Sequence, residues 1–298
     1  MSTPTIVLLH GQPDSSASFW PLRRELLRRL PDGVRVLAPD RPGYGANPLP
    51  ATGYPGNVRW LQGWLEQVQA GPTVLVGHSW AGGVAILAAA RRPPSLAGLV
   101  LLASVGPHCV MPIDRVLAAP VLGELIAYAT LQLGRPLVRW RARSAILAAL
   151  AEADRPYGSC SGAAMRHRPV WRSFLLEQRA LLAGAPQIDA ALPLITAPTV
   201  VISGDRDAMI PAATPAGLLA AIGHATGHQV EAGHDLQLRR PVEVAERIAG
   251  WAVERFGAAL DPAGFDPAGL DPAGLDPASA NPAGLGPAGL DPASAGPA

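Results

Sequence analysis

Short runs of β-branched and other apolar residues alternate along this chain with longer stretches whose apolar positions recur at helical spacing. The runs predict strands at Thr5–Leu9, Val34–Ala38, Thr73–Val76, Leu99–Ala103 and Thr199–Ser203, with a short one near Gln229–Glu231. In Phe19–Leu30, Trp20, Leu26, Leu27 and Leu30 fall on one face while Arg23, Arg24, Arg28 and Arg29 point away, and Ser18 is placed to cap the first turn. Val84–Ala90 is apolar all round, as a helix buried against a sheet should be, and in Pro241–Phe256 the side chains of Val244, Ile248, Trp251 and Ala252 share a face. Strands alternating with helices imply parallel pairing through right-handed crossovers. The predicted fold is α/β: a mostly parallel sheet of about six strands flanked by helices.

The alternation stops between about 107 and 193, where only helical patterns occur: Ile113–Leu133, Pro136–Leu150 and Pro169–Ala183. In the second, Val138, Ala142, Ala145, Ile146, Ala149 and Leu150 form a stripe, with Arg139 and Arg143 on another face. An all-helical insertion between two core strands is a natural lid. Its surplus of arginines suits either a solvated face or an anionic substrate. From about Ala258 a five-residue Asp-Pro-Ala-Gly-Leu repeat takes over, in which proline blocks helix and sheet and one apolar side chain per repeat is left to bury. The predicted organisation is a core of residues 1–106 and 194–257, a helical cap of 107–193, and a disordered tail of 258–298.

Composition narrows the chemistry. A hydrophobic content of 49% is ample for a sizeable core, and a net charge of +1 gives no electrostatic case for nucleic acid or an anionic membrane. No apolar run approaches the roughly 20 residues of a membrane helix. The N-terminus lacks a basic, signal-like start, so the expected compartment is the cytoplasm. Cys109 and Cys160 are too few for a disulfide framework or a zinc knuckle. All 24 basic residues are arginine. Lysine Schiff bases, a P-loop lysine and Ser-Lys pairs are thereby excluded, and an activated serine must rely on histidine.

Such a serine is present. In residues 73–83, Thr-Val-Leu-Val-Gly-His-Ser-Trp-Ala-Gly-Gly, a strand pattern ends at Gly77, Ser79 follows two residues later, and an apolar helix pattern begins at once. A serine at that apex has its hydroxyl exposed beside the N–H groups that open the helix. Plain turn chemistry would also explain it, so the rest of the chain decides. Of seven histidines, His234 follows the last strand in Glu-Ala-Gly-His-Asp. Asp205 and Asp207 follow the strand Thr199–Ser203, with Asp207 preferred as an orienting acid because it lies further into the loop; a metal pair or a turn cap are the other readings. His10-Gly11-Gln12-Pro13 supplies a glycine turn at the first strand's end. All of these fall at carboxyl ends of parallel strands, where open α/β sheets place their sites.

In that combination the sequence resembles the α/β-hydrolase family. The likeness runs through the His-Gly turn, Asp40-Arg-Pro-Gly-Tyr-Gly, Gly-His-Ser79, the Gly-x-x-Asp207 loop and Gly-His234, about residues 5–256. The resemblance implies Ser79 as nucleophile, His234 as base, Asp207 as orienting acid, and the N–H groups of Gln12 and Trp80 as oxyanion hole. It implies a small-molecule substrate, with no metal or cofactor. Serine at position 79 argues against the epoxide hydrolases and haloalkane dehalogenases of the family, which use aspartate there. Esterase, lactonase, thioesterase, carbon–carbon bond hydrolase and perhydrolase activities stay open, and so does a ligand receptor that kept the scaffold. Two departures stand out. Ala81 replaces the glycine of the usual G-x-S-x-G pattern, and only four residues precede the first strand, so the family's first two strands and its antiparallel pairing are expected to be missing.

Overall fold

The computed structural model describes residues 3–133 and 170–257. The predicted helix Pro136–Leu150 and the repeat tail from 258 lie outside these residues. Six strands form one sheet: β1 (Thr5–Leu9), β2 (Arg35–Leu37), β3 (Thr73–His78), β4 (Leu96–Leu102), β5 (Thr199–Gly204) and β6 (Thr226–Val230). Their order is β2-β1-β3-β4-β5-β6, and every pairing is parallel. β1 and β3 are buried at every position, which is why their sequences read as continuous apolar runs.

Side chains alternate between the two faces of the sheet. Val7, Leu9, Leu75, Leu99 and Leu101 enter one apolar cluster, while Ile6, Leu8, Val74, Val76, Val100 and Leu102 enter the other. The first cluster is closed by α2 (Tyr54–Gln67), α3 (Trp80–Ala89) and α6 (Val170–Ala191), the second by α1 (Trp20–Leu27) and α9 (Pro241–Phe256). Among the described residues the other α-helices are α4 (Pro112–Ala118), α5 (Leu122–Tyr128), α7 (Ala213–Ala221) and α8 (Leu236–Arg239). Chain order reverses between the neighbouring strands β1 and β3, so a crevice opens beyond their carboxyl ends. Among the described residues no helix is long and apolar enough to cross a membrane.

Local departures from the sequence pattern have local causes. The single helix expected over Ile113–Leu133 is divided, because Pro120 has no N–H to continue the ladder and Val121 turns to φ 62°. α6 runs past the expected stop at Ala183 to Ala191, carrying Pro186 inside it; Gly184 lies against Tyr54, and Ile188 and Ala191 are buried, so packing overrides the breakers. Ser18 does not cap α1. It lies within a 3-10 turn, Ser16–Phe19, and its hydroxyl donates to the Ser15 carbonyl. α2 holds Gly56 and Gly63 and α7 holds Pro215 and Gly217, residues that weaken a helical pattern.

Among the described residues one ion pair lies wholly inside. Arg41, in the connection after β2, and Glu177, on α6, are both fully buried, joined by Nη1 to Oε1 and by Nη2 to Oε2 at 3.2 Å. Tyr44 donates its hydroxyl to Glu177 Oε2 at 2.7 Å. Burial pushes the Glu177 carboxyl upward, and Arg41 and Tyr44 counter it. A second carboxyl, Asp14, follows the turn after β1; burial raises it from 3.8 to about 7, against the hydrogen bond from the Ser15 N–H.

Two stability outcomes follow from these groups. Glu177→Ala leaves the Arg41 charge buried without its counter-ion and should cost about 3–5 kcal/mol in urea unfolding at neutral pH. For Asp14, the folded chain holds a proton between about 4 and about 7 that the unfolded chain releases, so this group erodes stability as pH rises through that window. Asp14→Asn should therefore stabilise the protein more at pH ~8 than at pH ~4, and urea midpoints at the two pH values read the difference.

Candidate active site

Ser79 joins β3 to α3 in a backbone conformation that few non-glycine residues adopt, φ 54° and ψ −125°. The turn is pinned on both sides. The Ser79 N–H donates to the Leu102 carbonyl at 3.0 Å, and its own carbonyl accepts from Gly82 at 2.9 Å and Val105 at 3.2 Å. Close packing fixes the two flanking glycines: a Cβ at Gly77 would stand 2.8 Å from Gly82 Cα and 2.9 Å from the Ala81 carbonyl, and one at Gly82 would fall on the Ser104 side chain. Ala81, where glycine is usual, is fully buried, and its methyl enters the cluster on the α3 face of the sheet. The tight approach is therefore made by residues 77 and 82.

The loops after β5 and β6 complete the group. Ser79 Oγ donates to His234 Nε2 at 2.8 Å, and His234 Nδ1 donates to Asp207 Oδ2 at 2.9 Å. The Asp207 Oδ1 accepts the N–H groups of Met209 at 2.8 Å and Ile210 at 2.9 Å. Burial raises the Asp207 carboxyl, but the hydrogen bond and charge of His234 and these two N–H groups outweigh it and hold the group below the usual carboxylate range. Asp205 is turned away, its carboxylate 3.3 Å from Arg206 Nε. Arranged so, a hydroxyl can pass its proton to the imidazole, while the carboxylate fixes the imidazole's tautomer and steadies its positive charge.

Gln12 and Trp80 border the serine from two directions. Trp80 opens α3, whose first N–H groups have no acceptor within the helix. Gln12 follows Gly11, which lies so close to the serine that a Cβ there would be 2.9 Å from Ser79 Cβ and 3.4 Å from its Oγ. The Gln12 side chain donates from Nε2 to Gln178 Oε1 at 2.9 Å, and Gln178 passes a bond to Asp114 at 2.7 Å. His78 is buried beside His234, its Nε2 3.3 Å from the His234 carbonyl; burial and the neighbouring imidazole lower it to about 3, so it stays neutral. His10, buried and held well below its ordinary value, is neutral too. His224 and His228 are engaged elsewhere, His224 Nε2 with the Ala197 carbonyl at 2.9 Å and His228 Nδ1 with Arg247 Nη1 at 3.2 Å. Among the described residues no cluster of three or more histidines, cysteines and acids could hold a metal ion.

Sequence reasoning gave no role to Arg41, Glu177 and Gln178, which tie α6 to the turn after β1. One signal was available: Glu177 interrupts a spacing of Val170, Ser173, Leu181, Gly184 and Ile188 that is otherwise small or apolar, and all six are buried. A lone acid on such a stripe calls for a buried cation.

Comparison with known proteins identifies the family and the fold. The sequence profile of the Alpha/beta hydrolase family matches residues 6–247. The 2-hydroxymuconate semialdehyde hydrolase of Pseudomonas sp. strain CF600 is 28% identical over 264 residues, covering 86% of this chain and 89% of that protein. An sn-1-specific diacylglycerol lipase of Mus musculus is 39% identical over 100 residues, and the matched stretch spans only 33% of this chain and 32% of the lipase. In fold, the chain is similar to a thermophilic esterase from Thermogutta terrifontis, with a TM-score of 0.64, 21% identity, and coverage of 85% and 91% of the two chains. Sheet order, the serine turn and the profile match together place this chain in the Alpha/beta hydrolase family.

Proposed function

We propose that the protein is a serine hydrolase that cleaves carboxylic esters, lactones or thioesters of small, fairly apolar substrates. The observation that carries this reading is the unbroken relay Ser79–His234–Asp207, with bonds of 2.8 and 2.9 Å, on the crevice edge of the sheet. His234 takes the proton of Ser79 as its Oγ attacks the carbonyl carbon, and then returns it to the leaving group. The N–H groups of Trp80 and Gln12 hold the oxyanion, which is where preorganised donors are worth most. Water, deprotonated by His234, hydrolyses the acyl-enzyme. The helices α4, α5 and α6 serve as the cap over this site, through Gln178 and its bonds to Gln12 and Asp114.

A second reading rests on a relative that is matched along most of its length. The 2-hydroxymuconate semialdehyde hydrolase of Pseudomonas sp. strain CF600 favours carbon–carbon bond hydrolysis of a keto acid on the same three residues. An ester, lactone and thioester panel run beside such a keto acid separates the two.

Ser79→Ala should abolish turnover of short-chain nitrophenyl esters, and a variant as active as the parent would refute the mechanism. Asp207→Asn should lower kcat about 10⁴-fold, because an amide can donate to Nδ1 and stabilise the wrong tautomer; steady-state kinetics reads this. Ala81→Gly should stay within about tenfold of the parent in kcat/KM, a barrier change of about 1.4 kcal/mol, since the Ala81 methyl is accommodated in the core.

A further inference from the structure

The Gly11 carbonyl is held by two buried donors. Arg41 Nη2 reaches it at 2.8 Å, and His10 Nδ1 at 2.9 Å. The His10 tautomer is fixed independently, because Nε2 accepts the Arg41 backbone N–H at 3.0 Å and leaves the proton on Nδ1. Arg41 Nε also holds the preceding carbonyl, that of His10, at 2.7 Å. In a planar trans peptide the C=O and N–H point in opposite directions. The Gly11–Gln12 peptide thus has its carbonyl tied to Arg41 and its N–H turned the other way.

We propose that Arg41, kept charged and in place by Glu177 of α6, is the positioning residue that locks the Gly11–Gln12 peptide so that the Gln12 N–H serves as an oxyanion donor. The inference rests on the serine-hydrolase reading and deepens it. Four observations meet in it. The guanidinium spends Nε and Nη2 on two successive carbonyls of the turn, Nη1 reaches Asn57 Oδ1 at 3.3 Å, and Nη1 and Nη2 engage Glu177. Its Cζ lies over the Trp80 ring, 4.6 Å from the centroid, and so links the two residues whose N–H groups would bind the oxyanion. The Trp80 indole N–H donates to the Glu177 carbonyl at 3.0 Å. Finally, the Gln12 side chain is bonded to Gln178, the residue after Glu177. Seating of one turn of α6 therefore sets both the peptide and the side chain of residue 12, and loss of the Arg41 contact would leave the Gly11 carbonyl on His10 alone, with the peptide less firmly held.

The test uses the full chain. Arg41→Met combined with Glu177→Leu replaces the pair with apolar side chains and strands no charge in the core. The expected result on a short-chain nitrophenyl ester is a kcat about 100-fold lower, the loss of one oxyanion donor, with KM held within about threefold. Affinity for an alkylboronic acid, whose Ser79 adduct carries an oxyanion-like oxygen, should fall in parallel. The acid limb of the kcat/KM profile should stay in place. A double variant that keeps kcat and boronate affinity within about threefold overturns the inference, as does one that loses KM and thermal stability with no selective loss of boronate binding. If the double variant does not fold, the unmodified protein decides. In its boronate adduct the boron-bound oxygen should accept from the Gln12 N–H while the Gly11 carbonyl stays on Arg41, and a turned peptide overturns the inference. Activity that survives Ser79→Ala would instead remove the serine-hydrolase reading itself, whatever Arg41 does.

Discussion

A buried guanidinium holds this structure together at its functional end. Arg41 has no exposed surface, and its donors reach two successive carbonyls after β1, Asn57 on α2 and Glu177 on α6. A lone charge in that position would be prohibitive, and an ion pair is tolerable only because all of the guanidinium's own donors are used. An apolar side chain would fill the space at lower cost, but could not orient carbonyl groups. The bidentate fork is therefore better understood as geometry than as stability.

That geometry matters because the sheet brings everything else to the same edge. β1 and β3 are neighbours although β2 lies between them in sequence, so Gly11 and Ser79 end side by side. The approach is close enough that residue 11 must lack a side chain. The turn at Ser79 stores strain that three backbone hydrogen bonds and the crowding around Gly77 and Gly82 sustain. β5 and β6 then deliver Asp207 and His234 from the other side of the switch point, Asp207 one loop beyond the largely buried β5 and His234 one loop beyond the edge strand β6. The sheet does the positioning, and Asp207 and His234 stand only a few residues beyond the ends of β5 at Gly204 and β6 at Val230.

Much of this was legible in the sequence, and the boundary between legible and hidden is physical. Strands buried at every position announce themselves as apolar runs, as β1 and β3 do, whereas the mostly exposed edge strand β6 showed in the sequence only near its end, at Gln229 and Val230. The serine, histidine and acid stood at strand ends in a fixed order, and that order rather than any single residue marked them. Helix ends were less visible where packing overrode propensity, as with Pro186 inside α6, or where a proline divided a continuous pattern, as at Pro120. Ala81 looked like the critical departure at the serine turn, yet the crowded positions are Gly77 and Gly82. Contact distances across a helix-strand packing cannot be read from residue types. The Arg41–Glu177 pair was hidden for the same reason. Its partners are 136 positions apart, and only the folded chain shows that one carbonyl tied down at Gly11 determines where the next N–H points.

The central claim is that Ser79 becomes covalently acylated during turnover. Intact-protein mass spectrometry after reaction with an alkyl fluorophosphonate, followed by peptide mapping, tests it most directly. The account predicts one adduct per chain, on Ser79, with esterase activity lost in proportion to labelling. An active protein that takes up no label, or carries it at another residue while Ser79 stays free, would contradict it.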